Sequence, residues 1–432
     1  MKTLSTLDPD FQTRFIRLVN SRREADNGVS GQVSSILADV KGTGDKALVE
    51  LTQRFDGYSL IDDTDWVVTK ERMKEAYDDL EPDLRDALEV AAKRIRSYHE
   101  AQLPVDRDYT DDAGVRLGAI WRAVDAAGLY VPGGRAAYPS SLLMNAIPAR
   151  VAGVERVVVV TPTPKGNSNP LVLAAAHVAG INEMWRVGGA QAISALAYGT
   201  DKIKPVDVIT GPGNAYVAEA KRQLYGGVGI DMVAGPSEIL VIADAENDPD
   251  WTASDLMSQA EHDPTSQSIL ITDDEGFARE VADAVELLLA ALETGKRARE
   301  SWETHGAIIV VNDLESEAPA LANRLAAEHV ELAVKDDVAQ RLLKEIRHAG
   351  SVFLGRMTPE AVGDYVAGPN HVLPTGRRAR FSSGLSVLDF MKRTSFIQLD
   401  ENALGAIGPA AAALAHAEGL PAHAKSVEVR LK

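Results

Sequence analysis

The first 110 residues carry apolar positions at helical spacing. The stretches VSGQVSSILADVKGTGDKALVELTQRF and EPDLRDALEVAAKRIRSYHEAQ both repeat apolar residues every three or four positions. This period places the apolar residues on one face of a helix. We therefore predict that the N-terminal region is polar and helical.

From residue 156 the pattern changes to short apolar runs that alternate with helical stretches. These runs are RVVVVTP, EMWRVGG, VDVITGPGN, EILVIADA, SQSILITDD, GAIIVVND and SVFLG. Continuous apolar strands between helices are typical of βαβ units and of parallel sheets that are buried on both faces. The predicted fold class is therefore α/β. Two such blocks follow one another, which predicts two Rossmann-like domains that an old duplication would explain.

The chain ends in an Ala-rich helical stretch, PAAAALAHAEG, followed by LPAHAKSVEVRLK. Gly419 suits the C-terminal cap of this helix, and Pro421 suits the start of another. Such a tail is either a local lid or an arm that reaches another subunit.

Composition narrows the classes of function. The 432 residues include 63 acidic and 45 basic side chains, and the net charge of −18 disfavours binding to nucleic acid or anionic membranes. No apolar run approaches the roughly 18 residues of a membrane span. The start, MKTLSTLDPDF, lacks the apolar core of a signal peptide. We expect a cytoplasmic protein.

The absence of cysteine limits the available chemistry. Disulfides, thiolate metal sites and thiol nucleophiles are excluded. Any metal must be held by imidazole, carboxylate or amide groups. An aldehyde must be oxidised without a cysteine adduct.

Three polar motifs are candidates for a site. In SQAEHDP, Gln259 and His262 are three residues apart and share a helix face, and Pro264 is predicted to end the helix at about Asp263. The motif is either a polar helix end or two ligands of a shared metal.

The second motif is AAEHVEL, where a helix is predicted to run into a strand. Glu328 and His329 lie at this junction and can both face one cleft, either as a general-base unit or as a surface pair. The third motif, EAVGDYVAGPNHVLPTG, places Asp364, Asn370 and His371 in a loop shaped by glycine and proline, either as site residues or as a capped turn.

Two strand–helix turns raise the question of a dinucleotide. TGPGNAYVAEA has Gly211 and Gly213 in suitable positions but lacks the third glycine of the Rossmann fingerprint, and VGGAQAISA also fails the spacing. Each is either a tight turn or a place where a pyrophosphate meets free N–H groups at a helix N-terminus.

Eight segments taken together resemble the histidinol dehydrogenase family, in order and at suitable intervals from about residue 30 onward. They are AGLYVPGG, RVGGAQAI, GPGNAYVAEAKRQ, DMVAGPSEILVIAD, SQAEHDP, AAEHVEL, GDYVAGPNHVLPTG and AEGLPAHA. The resemblance implies a zinc-dependent, NAD-linked enzyme with one zinc ion per subunit. Such an enzyme oxidises L-histidinol through L-histidinal to L-histidine with two NAD, at the end of histidine biosynthesis.

The resemblance also implies roles for individual residues. His329 would take the alcohol proton, and Glu328 would activate water. Zinc, which accepts nitrogen and oxygen donors, would be bound by Gln259, His262, Asp364 and His423. The implied NAD contacts are Tyr130, Gln191 and Asn214. The implied substrate contacts are Ser237, Gln259, His262, His329, Asp364, His371, Glu418 and His423.

The resemblance implies an intertwined homodimer in which His423 and Glu418 serve the partner's active site. The corresponding domains are a helical segment 1–26, a discontinuous Rossmann-like domain 27–129 and 236–385 with the zinc and catalytic residues, an NAD-binding Rossmann-like domain 130–235, and a C-terminal dimerisation segment 386–432. One departure from the family is that Arg377 and Arg378 replace smaller or neutral residues, which alters the charge near the pocket.

Three other functions remain open. A related dehydrogenase could oxidise another small alcohol on the same scaffold, although Glu418 disfavours a sulfonated substrate. A zinc hydrolase could use Glu328 to activate water, and a non-catalytic protein could bind a metal or a nucleotide. NADH production separates the dehydrogenases from the last two.

Overall fold

The computed structural model describes residues 1–21, 27–133, 138–233 and 235–431. Part of the predicted N-terminal segment (22–26), Gly134 of AGLYVPGG and Ala234 of DMVAGPSEILVIAD lie outside the described residues. Within the described ranges, no helix combines the length and the apolar composition needed to cross a bilayer.

The strands are β1 (Lys2–Ser5), β2 (Arg107–Thr110), β3 (Arg116–Ala123), β4 (Ala126–Tyr130), β5 (Arg156–Val160), β6 (Glu183–Trp185), β7 (Val208–Thr210), β8 (Gly229–Ile230), β9 (Glu238–Ala243), β10 (Gln267–Thr272), β11 (Ala307–Val310), β12 (His329–Ala333), β13 (Ser351–Leu354) and β14 (Met391–Gln398). The helices are α1 (Phe11–Asn20), α2 (Ser30–Thr43), α3 (Asp45–Asp56), α4 (Asp63–Trp66), α5 (Lys70–Asp78), α6 (Pro82–Glu100), α7 (Pro139–Val151), α8 (Pro170–Val178), α9 (Gly189–Tyr198), α10 (Ala215–Leu224), α11 (Pro249–Ala260), α12 (Glu275–Ala291), α13 (Gly295–His305), α14 (Leu314–Leu325), α15 (Asp336–Glu345), α16 (Glu360–Tyr365), α17 (Glu401–Ala417) and α18 (Pro421–Glu428).

Two parallel sheets form the centre of the fold and confirm the α/β class. One sheet has the order β6-β5-β4-β7-β8, and the other has the order β1-β11-β10-β9-β12-β13. Leaving β1 aside, both follow the Rossmann order 3-2-1-4-5 in chain sequence. The shared order is what a duplication predicts, and the duplication itself stays a prediction.

Helices cover both faces of each sheet, which explains why the strands are apolar without alternation. In the five-stranded sheet, Val157 and Val159 face α5 to α8, whereas Val158 and Val160 face α2, α3, α9 and α10. The six-stranded sheet is buried in the same way between α1, α14 and α15 on one face and α11 to α13 on the other. Burial on both faces requires apolar residues at every position.

Helices between residues 30 and 100 pack against the five-stranded sheet, where they contribute to both of its cores. Packing alone does not define independently folding units, so the predicted domain boundaries stay a prediction. The helical ending is confirmed: Gly419 follows α17 with φ +74°, and Pro421 begins α18.

For the first 110 residues and for the tail, only helices were predicted. This prediction was wrong, because three strands lie there. β1 pairs with β11 in the six-stranded sheet, and β2 and β14 flank β3 in an antiparallel sheet. β1 and β2 have four residues each, which is too short for a period to be read. β14 is exposed over most of its length in the chain and is largely polar, so it lacks the alternation of a half-buried strand.

Candidate active site

The Glu328–His329 pair lies at the predicted junction of a helix and a strand. Helix α14 ends at Leu325, Ala326 adopts a left-handed conformation with φ +50°, and β12 begins at His329. This break in the helix lets both side chains turn the same way, and Glu328 Oε2 lies 3.9 Å from His329 Nδ1. Both side chains are buried. The predicted junction of a helix and a strand is therefore confirmed. The catalytic roles of the two residues stay predictions.

The first residue of β9 holds this pair. The backbone N–H of Glu238 donates to Glu328 Oε2 at 3.2 Å, and His329 Nδ1 donates to the Glu238 carbonyl oxygen at 3.2 Å. His329 Nδ1 also donates to Gln259 Oε1 at 3.0 Å. Because both partners are oxygen acceptors, the proton lies on Nδ1 and the lone pair on Nε2. Burial lowers the pKa of His329 to about 3, so the imidazole is neutral.

Gln259 and His262 meet at the end of α11. The helix ends at Ala260, a few residues before the predicted end near Asp263, and His262 follows in the turn. Gln259 Nε2 donates to His262 Nδ1 at 3.1 Å. Gln259 is fully buried and His262 is exposed, so the pair leads from the interior to the surface.

Helix α16 supplies two carboxylates that face His329. Glu360 Oε1 lies 3.5 Å and Asp364 Oδ1 lies 3.9 Å from His329 Nε2. One ligand atom from each of these three residues lies within 4.8 Å of the others, an arrangement that could hold a metal ion. Asp364 was predicted as a site residue, but its predicted place in a loop was wrong, because it lies on α16. Glu360 was not predicted.

Several carboxyl groups lie around this point, and each has its pKa shifted by burial. Burial raises the pKa of Asp364 to about 8, with a further contribution from the charge of Glu360, and it raises the pKa of Glu328 well above its usual value. Behind them, burial raises the pKa of Glu331 to about 9 and that of Asp255 to about 6, and these two groups hydrogen-bond each other. A nearby cation would favour the ionised forms of these acids.

The donor set fits a divalent metal. His329 Nε2 and Glu360 Oε1 are buried and have no hydrogen-bond partner within the described part of the chain. Buried polar atoms are normally satisfied, so the two atoms indicate that the pocket receives a bound group, with Nε2 available to a proton and Oε1 available to a cation. Nitrogen and oxygen donors of this kind suit zinc and related ions.

A cavity of about 280 Å³ opens beside these residues. His329, Asp364 and His371 line it, together with Phe353 and Leu373. His371 Nδ1 donates to the Asp364 carbonyl oxygen at 2.9 Å, and burial lowers the pKa of His371 to about 4. The pocket therefore combines apolar walls with neutral imidazoles, which suits a small polar substrate.

His371 also links this pocket to the five-stranded sheet. Its Nε2 lies 3.3 Å from Ser141 Oγ on α7, the helix that follows β4. Glu238 and His329 begin their strands, so the pocket lies at the amino edge of the six-stranded sheet.

The three predicted NAD contacts lie together at the carboxyl edge of the five-stranded sheet. Tyr130 ends β4, and its hydroxyl accepts from the N–H of Gly189 at 3.2 Å. Gln191 is buried in the first turn of α9. Asn214 caps α10, where its Oδ1 accepts from Tyr216 N–H at 3.0 Å. The N-termini of α9 and α10 thus lie near Tyr130, and a helix N-terminus can bind a phosphate. The roles of the three residues in NAD binding stay predictions.

The remaining predicted site residues are Ser237, Glu418 and His423. Ser237 precedes β9, and its carbonyl accepts from Gln267 N–H at 3.0 Å. His423 on α18 and Glu418 after α17 are exposed, and in the described chain no side-chain hydrogen bond or ion pair joins them to the pocket. Their metal and substrate roles stay predictions.

Arg377 Nε donates to the Arg324 carbonyl oxygen, and Arg378 Nη1 donates to the carbonyl oxygen of Thr375.

The fold and the site define an α/β enzyme that combines a buried Glu–His pair and metal-type ligands with two glycine-shaped turns between strands and helices. Comparison with known families makes this specific. The histidinol dehydrogenase family profile matches residues 19–431. The chain belongs to the histidinol dehydrogenase family of NAD-linked oxidoreductases, as the resemblance predicted.

Known relatives agree with this assignment over the full length. A histidinol dehydrogenase from Zymomonas mobilis is 63% identical over 428 residues, which is 99% of each chain. One from Ruegeria pomeroyi is 59% identical, covering 99% of this chain and 98% of its own. A crystal structure of histidinol dehydrogenase from Elizabethkingia anophelis is 36% identical and covers 100% of this chain and 98% of its own, with a TM-score of 0.94.

Proposed function

We propose that this protein oxidises L-histidinol, through bound L-histidinal, to L-histidine with two NAD and one zinc ion per subunit. The observation that carries this proposal is the free Nε2 lone pair of His329, which faces two carboxylates beside Glu328. The relatives that share the full chain are named histidinol dehydrogenases. The reaction would complete histidine biosynthesis, and we place it in the cytoplasm.

Zinc would be held by Gln259, His262 and Asp364, with His423 from a second copy of the chain. The first two are already joined by a hydrogen bond, and Asp364 lies across His329 from them. When bound, zinc would orient the substrate and stabilise negative charge on oxygen. The imidazole and amino groups of histidinol are themselves suitable donors for such an ion.

His329 would act as the base of the first oxidation. Its Nε2 takes the hydroxyl proton of histidinol while the carbon gives a hydride to NAD, which yields the aldehyde. The neutral imidazole can accept this proton because its Nδ1 proton is held by Gln259 and by the Glu238 carbonyl.

Glu328 would act in the second oxidation. It takes a proton from water as the water oxygen adds to the aldehyde, and the hydrate then loses a second hydride to another NAD. Burial and the charge of Glu238 raise the pKa of this carboxyl well above its usual value, which makes its carboxylate a stronger base. Water thus replaces the thiol that this chain lacks.

The nucleotide would lie against Tyr130, Gln191 and Asn214. The substrate would contact Ser237, Gln259, His262, His329, Asp364 and His371, together with Glu418 and His423 of a second subunit. A carboxylate at Glu418 suits the ammonium group of histidinol. A homodimer in which residues 386–432 cross to the partner would bring these two exposed residues to the pocket.

The test is a comparison of substrates with the zinc-loaded protein. L-Histidinol with NAD should give NADH at a higher kcat/KM than other amino alcohols, including a sulfonated one. Faster oxidation of another alcohol would favour a related dehydrogenase on the same scaffold. Failure to form NADH from any alcohol would favour a zinc hydrolase or a non-catalytic binding protein.

A further inference from the structure

Lys221 and Asp231 form an ion pair inside the five-stranded sheet domain. Lys221 lies on α10 and Asp231 follows β8, and their side chains are 3% and 1% exposed. Removing two charges from water is costly, and the cost is offset only when the pair and its hydrogen bonds are well formed. A pair this deeply buried therefore calls for a specific role.

Both members of the pair bind the backbone of the same residue, Gly211. The Gly211 N–H donates to Asp231 Oδ2 at 2.8 Å, and Lys221 Nζ donates to the Gly211 carbonyl oxygen at 3.0 Å. The other oxygen, Asp231 Oδ1, also accepts from Met232 N–H at 2.6 Å. Within the described residues, the side-chain hydrogen bonds of the pair go to Gly211, to Met232 and to each other.

Gly211 belongs to the TGPGN turn (residues 210–214), which links β7 to α10. Its φ is +110°, and a Cβ placed there would lie 2.2 Å from the Tyr130 carbonyl oxygen. The turn therefore lies against the end of β4, where the two hydrogen bonds hold the backbone of Gly211. Asn214, which caps α10, lies three residues further along the same turn.

We infer that Lys221 and Asp231 are positioning residues for NAD. They hold the TGPGN turn against Tyr130, so that Asn214 and the N-terminus of α10 are in place before the nucleotide arrives. This inference rests on the proposed function, because it assumes that NAD binds at this turn. Preorganisation of this kind lowers the cost of ordering the turn on binding.

The test uses the double variant Lys221→Met/Asp231→Leu in the full-length, zinc-loaded protein. Replacing a buried ion pair by apolar residues of similar size is often tolerated by the fold, while the Gly211 N–H and carbonyl each lose their side-chain partner. The probe is NADH, followed by its fluorescence. Binding of L-histidinol without nucleotide, measured by calorimetry, reports on the intact pocket.

We expect the double variant to bind L-histidinol as the unaltered protein does but to bind NADH about tenfold or more weakly. In turnover, the KM for NAD should rise by a similar factor while kcat changes little. Asp231→Asn keeps the size of the side chain and serves as a second variant; it should weaken NADH binding in the same direction.

Glu183→Gln is the matched control. Glu183 pairs with Arg156 in the same sheet, but at the amino edge, where the two bonds measure 2.9 Å each. It should leave NADH affinity unchanged even if it lowers the melting temperature. NADH binding by the double variant equal to that of the unaltered protein would overturn this inference alone. An unaltered protein that does not bind NADH would overturn the proposed NAD chemistry and this inference together.

Discussion

Gln259 Oε1 and His329 Nδ1 lie 3.0 Å apart, so a proposed metal ligand and the proposed base share one hydrogen bond. The carbonyl oxygen of an amide has two lone pairs and can accept this bond while it also binds a metal. The bond keeps the proton on Nδ1 and directs Nε2 toward Glu360 and Asp364. Metal binding and base geometry are thereby coupled through Gln259.

Replacing Glu328 should separate the two oxidations. Glu328→Gln keeps the size of the side chain but removes the base for water, so the first hydride transfer should continue while oxidation of the aldehyde slows by about 10²–10⁴-fold. The measurement is rapid-mixing detection of NADH, with a hydrazine reagent to trap aldehyde. Two NADH formed at the unaltered rate would remove Glu328 from the mechanism.

Replacing His329 should slow the first oxidation itself. His329→Gln loses the Nε2 lone pair, and kcat with L-histidinol should fall by about 10²–10⁴-fold. Because hydroxide can then take the alcohol proton, the residual rate should rise with pH. His177→Gln, in a partly buried histidine on α8, is the control and should keep its activity. A His329 variant with near-normal kcat would show that another group is the base.

A mixture of two inactive variants tests whether the C-terminal segment serves the partner subunit. His423→Ala and His329→Gln should each be inactive, but mixed dimers contain one site with both residues intact. Random mixing of equal amounts should restore about a quarter of the sites. If His423 acts within its own chain, the mixture stays as inactive as either parent.

The strands could be predicted from the sequence because burial on both faces makes them continuously apolar. The strands at residues 156–160 and 238–243 could be predicted without knowing which strands they pair with. β1 was not predicted, because its partner, β11, lies about 300 residues away in the chain. β14 was not predicted, because an exposed strand lacks the apolar pattern of a buried one.

Three acidic residues near the site were not predicted, although the sequence shows their spacing from predicted site residues. Glu360 is four residues before Asp364 on α16, Asp255 is four before Gln259 on α11, and Glu331 is two after His329 on β12. Each spacing places the acid on the same face as a predicted site residue. The sequence alone could not show that the three faces converge, since convergence depends on tertiary packing.

Glu331 should make the metal-free protein less stable as the pH rises. Its pKa is raised from 4.5 to about 9 by burial, so between these values the unfolded chain releases a proton that the folded chain keeps. The free energy of unfolding therefore falls through this range. Glu331→Gln cannot ionise, and its amide can still donate to Asp255.

Relative to the unaltered protein, Glu331→Gln should gain more than about 1 kcal/mol of stability between about pH 5 and pH 8.5, because one pKa unit corresponds to about 1.4 kcal/mol. Urea unfolding at the two pH values measures this. Glu280→Gln, on the exposed face of α12, is the surface control. An equal stability difference at both pH values would show that Glu331 ionises alike in the folded and unfolded chains.

The amount of NADH formed per L-histidinol consumed, with and without a chelator, tests directly whether the protein couples two oxidations and needs a metal. The proposed chemistry predicts two NADH for each L-histidine, loss of NADH formation on chelation and its return with zinc. One NADH with free L-histidinal would contradict the coupled second oxidation. NADH formation that persists in the fully chelated protein would contradict the role of the metal.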